Sequence, residues 1–374
     1  MAVSARGALV RAAAPLLLLP LMLALALAPV PGCGDDGSPA GGGDGPPSAD
    51  GAGGDGARGD APAPTPDGGD VVVLPTGTIS GERMVPCNAP NLPTGASCRS
   101  LTVSCPGIAD AQAIVAVTEP ASPAVGTVVM HAGGGGTGYL NDGFADPYLA
   151  HNLRVVQMRW SADWEQTASS GVLAAACRPA TVIRWIFQNL HQGDRSRGFC
   201  GQGHSGGSGV LSYALTHYGL KDSFDFVVPS AGPPFGRIDY GCDPALYTGP
   251  PRNLCPQLTN APIAFPPHRV DAWENTTTCG TPNPPVADQA RWAADSVVSP
   301  GADFDYPQTV MSFWFCATNP NETTGLGSFY IERISSQKSV TCATQCTGEG
   351  VFNDPQAHQM MIDAMVAGCV PRHQ

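Results

Sequence analysis

From about residue 99 onward, short apolar runs alternate along the chain with segments of helical periodicity. Eight runs rich in β-branched and aromatic residues predict strands, at Leu101–Cys105, Ala113–Thr118, Thr127–His131, Arg154–Trp160, Gly198–Gly203, Phe224–Pro229, Thr309–Cys316 and Ser339–Cys342. Between or after them Asp142–Asn152, Ala175–Leu190, Gly206–Tyr218, Val286–Val297, Gly327–Ile334 and Pro355–Ala367 predict helices. Such alternation builds βαβ units, so the expected fold class is α/β with a mainly parallel sheet. The stretch from Gly232 to Pro307 breaks the pattern. Rich in Pro, Asn, Gly and Cys, it has little strand character and reads as an insertion between two sheet strands, a cap.

Before residue 70 the pattern is different. Arg6 and Arg11 precede a run from Pro15 to Val30 dominated by Leu and Ala, too short and too proline-broken for a membrane helix and suited to an export signal. The run ends in Val30-Pro31-Gly32-Cys33, which resembles the lipobox of bacterial lipoproteins. That resemblance implies a lipidated Cys33 as the new N-terminus and attachment to a membrane. Ordinary signal cleavage nearby, giving a freely secreted protein, is the alternative. Residues 34–70 hold eight Asp and one Arg among Gly, Pro and Ala, without apolar periodicity. They cannot offset their ordering entropy and read as a solvated tether.

Charge changes the picture only by exclusion. The formal net charge is −12, much of it in the tether, so the remainder is a mildly acidic globular domain and not a basic nucleic-acid binder. Leaving Cys33 aside, twelve of the 13 cysteines remain, an even number that can all pair, and disulfides persist in oxidising compartments. Cys316, inside an apolar run, is also compatible with a buried free thiol. Cys342 and Cys346 have a spacing that some zinc sites use, but no second close Cys or His pair accompanies them, and no metal is expected.

The candidate chemistry centres on Gly203-His204-Ser205-Gly206-Gly207, between the fifth predicted strand and a predicted helix. Acyl transfer needs a serine hydroxyl held clear of the sheet on a sharp turn, and glycines two before and two after let the neighbouring backbone pass. The following helix aims free N–H groups at the developing oxyanion. The bare pattern G-x-S-x-G arises by chance in about one of three chains of this composition, so its strand–turn–helix placement carries the weight. A second element, His131-Ala132-Gly133-Gly134-Gly135-Gly136, closes the third predicted strand.

Through these motifs, the strand succession and a late histidine, residues 99–369 resemble the α/β-hydrolase superfamily. The resemblance implies a three-layer α/β/α sandwich with a mostly parallel eight-stranded sheet, and ester hydrolysis through an acyl-enzyme on Ser205 without a cofactor. The glycine run after His131 is similar to the HGGG oxyanion loop of lipases and esterases, with Ala132 in place of the first glycine, which nominates Gly133, Gly134 and Gly206 as oxyanion donors. The general base of the family follows the eighth strand. Only His358 and His373 lie there, and His373 is second from the end, which leaves His358, apparently at the start of the last helix. The orienting acid follows the seventh strand, where Asn319 is near the expected position and Glu322 is nominated. Asp239, after the sixth strand, is the reserve, and an Asn orienter or a dyad without an acid stays open.

Two other readings compete. Residues 133–138 and 201–206 both also match G-x-G-x-x-G, the dinucleotide-binding turn, and Arg159 lies near the end of the strand after the first of them, where an NADP phosphate could bind. Neither match follows the first strand, and no acidic residue closes the strand after Gly206. A hydrolase-shaped surface protein that binds a partner without turnover is the other alternative. His204, inside the elbow, reads as a packing or hydrogen-bonding neighbour rather than a catalyst. Trp160 and Trp164 read equally as core or as the lining of an acyl site.

Overall fold

The computed structural model describes residues 70–140, 143–167, 169–250, 254–255, 263–264, 266–318, 322–346 and 349–369. Cys33 and the expected signal and tether up to residue 69 lie outside them. Nine strands form one sheet: β1 (Thr78–Val85), β2 (Ser97–Ser104), β3 (Ala111–Thr118), β4 (Gly126–His131), β5 (Leu153–Trp160), β6 (Gly198–His204), β7 (Phe226–Ser230), β8 (Val310–Cys316) and β9 (Lys338–Ala343). Their order is β1-β2-β3-β5-β4-β6-β7-β8-β9. The pairings from β1 to β5 are antiparallel, and every pairing from β5 through β9 is parallel.

All eight expected strands are present, and the expected count of eight is corrected by β1. That strand has no hydrophobic signature because it is an edge strand, bonded to β2 alone and exposed along most of its length. Inside the sheet the opposite holds. Val128, Met130, Val155, Cys200 and Val228 point into one apolar cluster, while their neighbours Val129, Val156, Phe199 and Val227 point into the other. Side chains alternate across a strand, so a continuous apolar run serves a sheet covered on both faces.

Helices α1 (Ala145–Ala150) and α9 (Pro355–Cys369) pack on the face of Val128 and Cys200. Helices α2 (Gly171–Ala175), α3 (Cys177–Trp185) and α4 (Gly206–Thr216) pack on the other. Between β7 and β8 the chain passes through α5 (Ile238–Cys242), α6 (Pro267–Glu274) and α7 (Val286–Asp295), and α8 (Glu322–Arg333) joins β8 to β9. Helices α2, α5 and α6 are too short or too polar to stand out in the sequence pattern.

Six disulfides join all twelve cysteines after Cys33: Cys87–Cys98, Cys105–Cys177, Cys200–Cys369, Cys242–Cys279, Cys255–Cys342 and Cys316–Cys346. Cys316 is therefore not a free thiol. Its apolar run is β8, whose end is tied to the segment after β9.

Within the β7–β8 segment, at the end of α6, Glu274 is fully buried and accepts the Val172 N–H at 3.2 Å. Burial, reinforced by the Asp295 carboxyl beside it, raises its pKa. A carboxyl with a raised folded-state pKa holds its proton at pH values where the unfolded chain has lost it. Its stabilisation is thus complete below the ordinary carboxyl range and is lost as pH rises through the raised value. Thermal melts of Glu274→Gln and wild type should agree most closely in acid, and above neutral pH the variant should gain roughly 3 °C or more on wild type.

Candidate active site

The elbow is built by glycines that have no room for a side chain. A Cβ at Gly203 would lie 2.3 Å from the Gly207 carbonyl oxygen, and one at Gly207 would lie 2.3 Å from that of His131. The turn closes tightly enough to hold Ser205 at φ 49° and ψ −115°, a conformation that disfavours any residue with a Cβ. Its N–H donates to the Ser230 carbonyl at 2.8 Å, and its own carbonyl accepts the Ser208 N–H at 2.9 Å, so the strained backbone is held from both sides. Ser205 stands at the N-terminus of α4, whose first two N–H groups, of Gly206 and Gly207, have no intrahelical partner.

The glycine loop after β4 rests against this elbow. A Cβ at Gly133 would approach the Ser205 Cβ to 3.3 Å, and one at Gly206 would come within 2.2 Å of the Gly134 carbonyl oxygen. Gly133, Gly134 and Gly206, far apart in sequence, are thus brought together around Ser205. Beneath the loop, Gly136 packs on the edges of Trp160 and Trp164, both fully buried. His131 is also buried, and burial lowers its pKa to about 3. The loop does not lead directly into a helix, since α1 starts only at Ala145. A dinucleotide pyrophosphate at residues 133–138 would therefore lack the helix N-terminus it requires.

His358 lies in the first turn of α9. Asp354 caps that helix, accepting the N–H groups of Gln356 at 3.0 Å and Ala357 at 3.2 Å, and Pro355 follows at the first helical position. The far end of α9, Cys369, is bonded to Cys200 and lies over Gly198 and Gly126, the first residues of β6 and β4. Helix α9 thus runs back along the sheet against the strand direction. The helical rise from Cys369 to His358 is about 16 Å, and the seven residues of β6 span about 20 Å, so His358 reaches the strand ends where the elbow stands.

Ring contacts trace the same route. The His204 ring meets Phe352 edge-on at 4.7 Å between centroids, Phe352 meets Phe144 at 6.3 Å, and Phe144 meets His358 at 4.4 Å. His204 also makes a 3.1 Å hydrogen bond to the Ser230 hydroxyl, and burial lowers its pKa to about 4. A packing neighbour of the serine is what those contacts describe.

The nominated acids stand differently. Glu322 is the first residue of α8, but its side chain, like Asn319, lies outside the described residues. Asp239 is buried on α5 and grips the Arg237 guanidinium with both oxygens. The disulfide Cys316–Cys346 ties the end of β8 to the chain after β9.

Sequence reading missed two residues beside the glycine loop. Glu165 is 1% exposed, and burial, outweighing the nearby Arg269 charge, raises its pKa to about 7. Arg269, on α6, places Nη2 at 3.9 Å from the Cβ position of Gly134. Neither belongs to a motif, and nothing in local sequence joins residue 165 to residue 269. A cavity of about 630 Å³ opens elsewhere, over β1–β3 and β5, lined by Arg83, Gln112 and Arg159 among others and by no residue of the elbow.

No protein-family model matches this chain, and no curated protein sequence matches it. Among solved structures it is similar to an arylesterase, at 13% identity over 75% of this chain and 86% of the other, with a TM-score of 0.45. Brefeldin A esterase, described as a bacterial homologue of human hormone sensitive lipase, is 15% identical over 76% of this chain and 80% of its own, with a TM-score of 0.42. Carboxyl esterase 2 of the mycorrhizal fungus Tuber melanosporum is 14% identical over 74% and 86%, with a TM-score of 0.41. All three are esterases.

Proposed function

We propose that the protein is a serine hydrolase acting on carboxylic esters. The observation that carries this reading is the strained Ser205 at a strand–helix elbow with a glycine loop pressed against it. In this reading the Ser205 hydroxyl attacks the ester carbonyl while His358 takes its proton. The negative charge developing on the carbonyl oxygen would be met by amides of Gly206 and of the Gly133–Gly134 loop, held in place before the substrate arrives. The tetrahedral intermediate collapses, the alcohol leaves with the proton from His358, and water repeats the sequence to release the acid. Glu322 is the proposed orienting acid, and the β7–β8 segment the proposed cap.

Among the described residues no helix is long and apolar enough to cross a membrane. With six disulfides, we take the protein to be exported and held at a bacterial membrane through a lipid on Cys33, so its ester substrate is met outside the cytoplasm.

Labelling with a fluorophosphonate probe tests the reading directly. The expected result is one covalent adduct per chain, mapped by peptide mass to Ser205; a folded but unlabelled protein would favour the non-catalytic binding alternative. Gly206→Ala tests the oxyanion arrangement, because its methyl would displace the Gly134 carbonyl. It should lower kcat on a nitrophenyl ester by about 10²-fold, with KM much less affected.

A further inference from the structure

Two arginines elsewhere in this protein are each held by several hydrogen bonds. Arg178 donates to three backbone carbonyls, of Trp164, Gln166 and Ala109, and Arg237 pairs with both oxygens of Asp239. Arg269 differs. Its side chain is 40% exposed, its guanidinium stands 5.4 Å from the Trp273 ring centroid, and its nearest carboxylate oxygen, on Glu165, is 4.0 Å from Nη2. That separation is beyond hydrogen-bond range. Among the described residues the guanidinium makes no hydrogen bond, so its planar fork of donors is available beside the loop that touches Ser205.

The surroundings hold this cation in place and neutralise it only in part. Trp273 offers a ring face, and Glu165, buried beneath, is a carboxyl whose ionisation is disfavoured by its burial. Asp163, the other acid at the loop, lies against Gly135 and accepts from the Gln166 amide at 3.4 Å.

We infer that Arg269 is a specificity-determining residue that binds a carboxylate carried by the substrate, so that the preferred esters are half-esters of dicarboxylic acids. The inference rests on the ester-hydrolase reading above. The fork matches a carboxylate in two-point geometry, and its distance from the loop sets the substrate carboxylate several bonds from the carbonyl under attack.

The test compares kcat/KM for mono-4-nitrophenyl adipate with that for 4-nitrophenyl hexanoate, which has the same chain length without the charge. Wild type should favour the adipate by about tenfold or more. Arg269→Met should reduce the adipate-to-hexanoate ratio by about the same factor, and Arg269→Lys should restore part of it. A wild type that cleaves both esters equally, or an Arg269→Met variant with the wild-type ratio, would overturn the assignment while leaving the hydrolase intact. A wild type that cleaves neither ester and takes no fluorophosphonate would remove the hydrolase reading, and the inference with it.

Discussion

Ser205→Ala is expected to lower ester turnover by on the order of 10⁴-fold or more while leaving the protein folded. The size follows from the chemistry: without the hydroxyl there is no acyl-enzyme, and the residual rate depends on the oxyanion donors activating water alone. The fold should survive because the elbow is held by backbone hydrogen bonds, from Ser205 N–H to Ser230 and from the Ser208 N–H back to Ser205, which the substitution does not touch. A companion variant makes the strain visible. At φ 49° a glycine is relaxed where serine is not, so Ser205→Gly should be as inactive as Ser205→Ala and about 1 kcal/mol more stable than it. Steady-state kinetics on a nitrophenyl ester and thermal melts measure both effects. Activity of either variant within tenfold of wild type would remove Ser205 from the nucleophile role.

Removing the Cys200–Cys369 disulfide should cost about 3–4 kcal/mol of stability, measured by urea unfolding of Cys200→Ala/Cys369→Ala against wild type. The bridge closes a segment with a sequence separation of 169, the longest of the six, although the other bridges already restrict part of that loop in the unfolded chain. It should also cost activity. Cys200 is on the strand that ends just before Ser205, and Cys369 ends the helix whose first turn holds His358, so the bond fixes the sliding of α9 along the sheet. We expect kcat to fall more than KM rises, since a base displaced by 1 Å loses transition-state contact before it affects substrate binding. The same substitution at Cys87–Cys98, between β2 and the chain just before it, should leave kcat near the wild-type value. Equal kinetic losses at the two bridges would mean that Cys200–Cys369 acts on stability alone.

Much of the sheet could be read from residue order because the interior strands are buried on both faces. Runs such as Val128-Val129-Met130 have no alternative environment in a chain of this size, and their spacing by helical segments implies parallel pairing. The edge strand β1 escaped because Thr78–Val85 is mostly exposed and carries little apolar signal. Helices α2, α5 and α6 escaped for the related reason that they are short and held by disulfides and buried polar groups rather than by an apolar stripe.

By itself the sequence determined the elbow, since Gly203-His204-Ser205-Gly206-Gly207 is a local turn whose glycines and strand–helix context are contiguous. It also determined the glycine loop after His131, and an even number of cysteines available to pair. Only the tertiary structure decided which cysteines join, that α9 runs back along the sheet to bring His358 to the strand ends, and that Arg269 and Glu165 stand at the glycine loop. The physical reason is the range of the forces involved. Turn and strand preferences act over a few residues and leave their mark in the order of the chain, whereas the meeting of residue 134 with residues 206 and 269 depends on how whole layers pack.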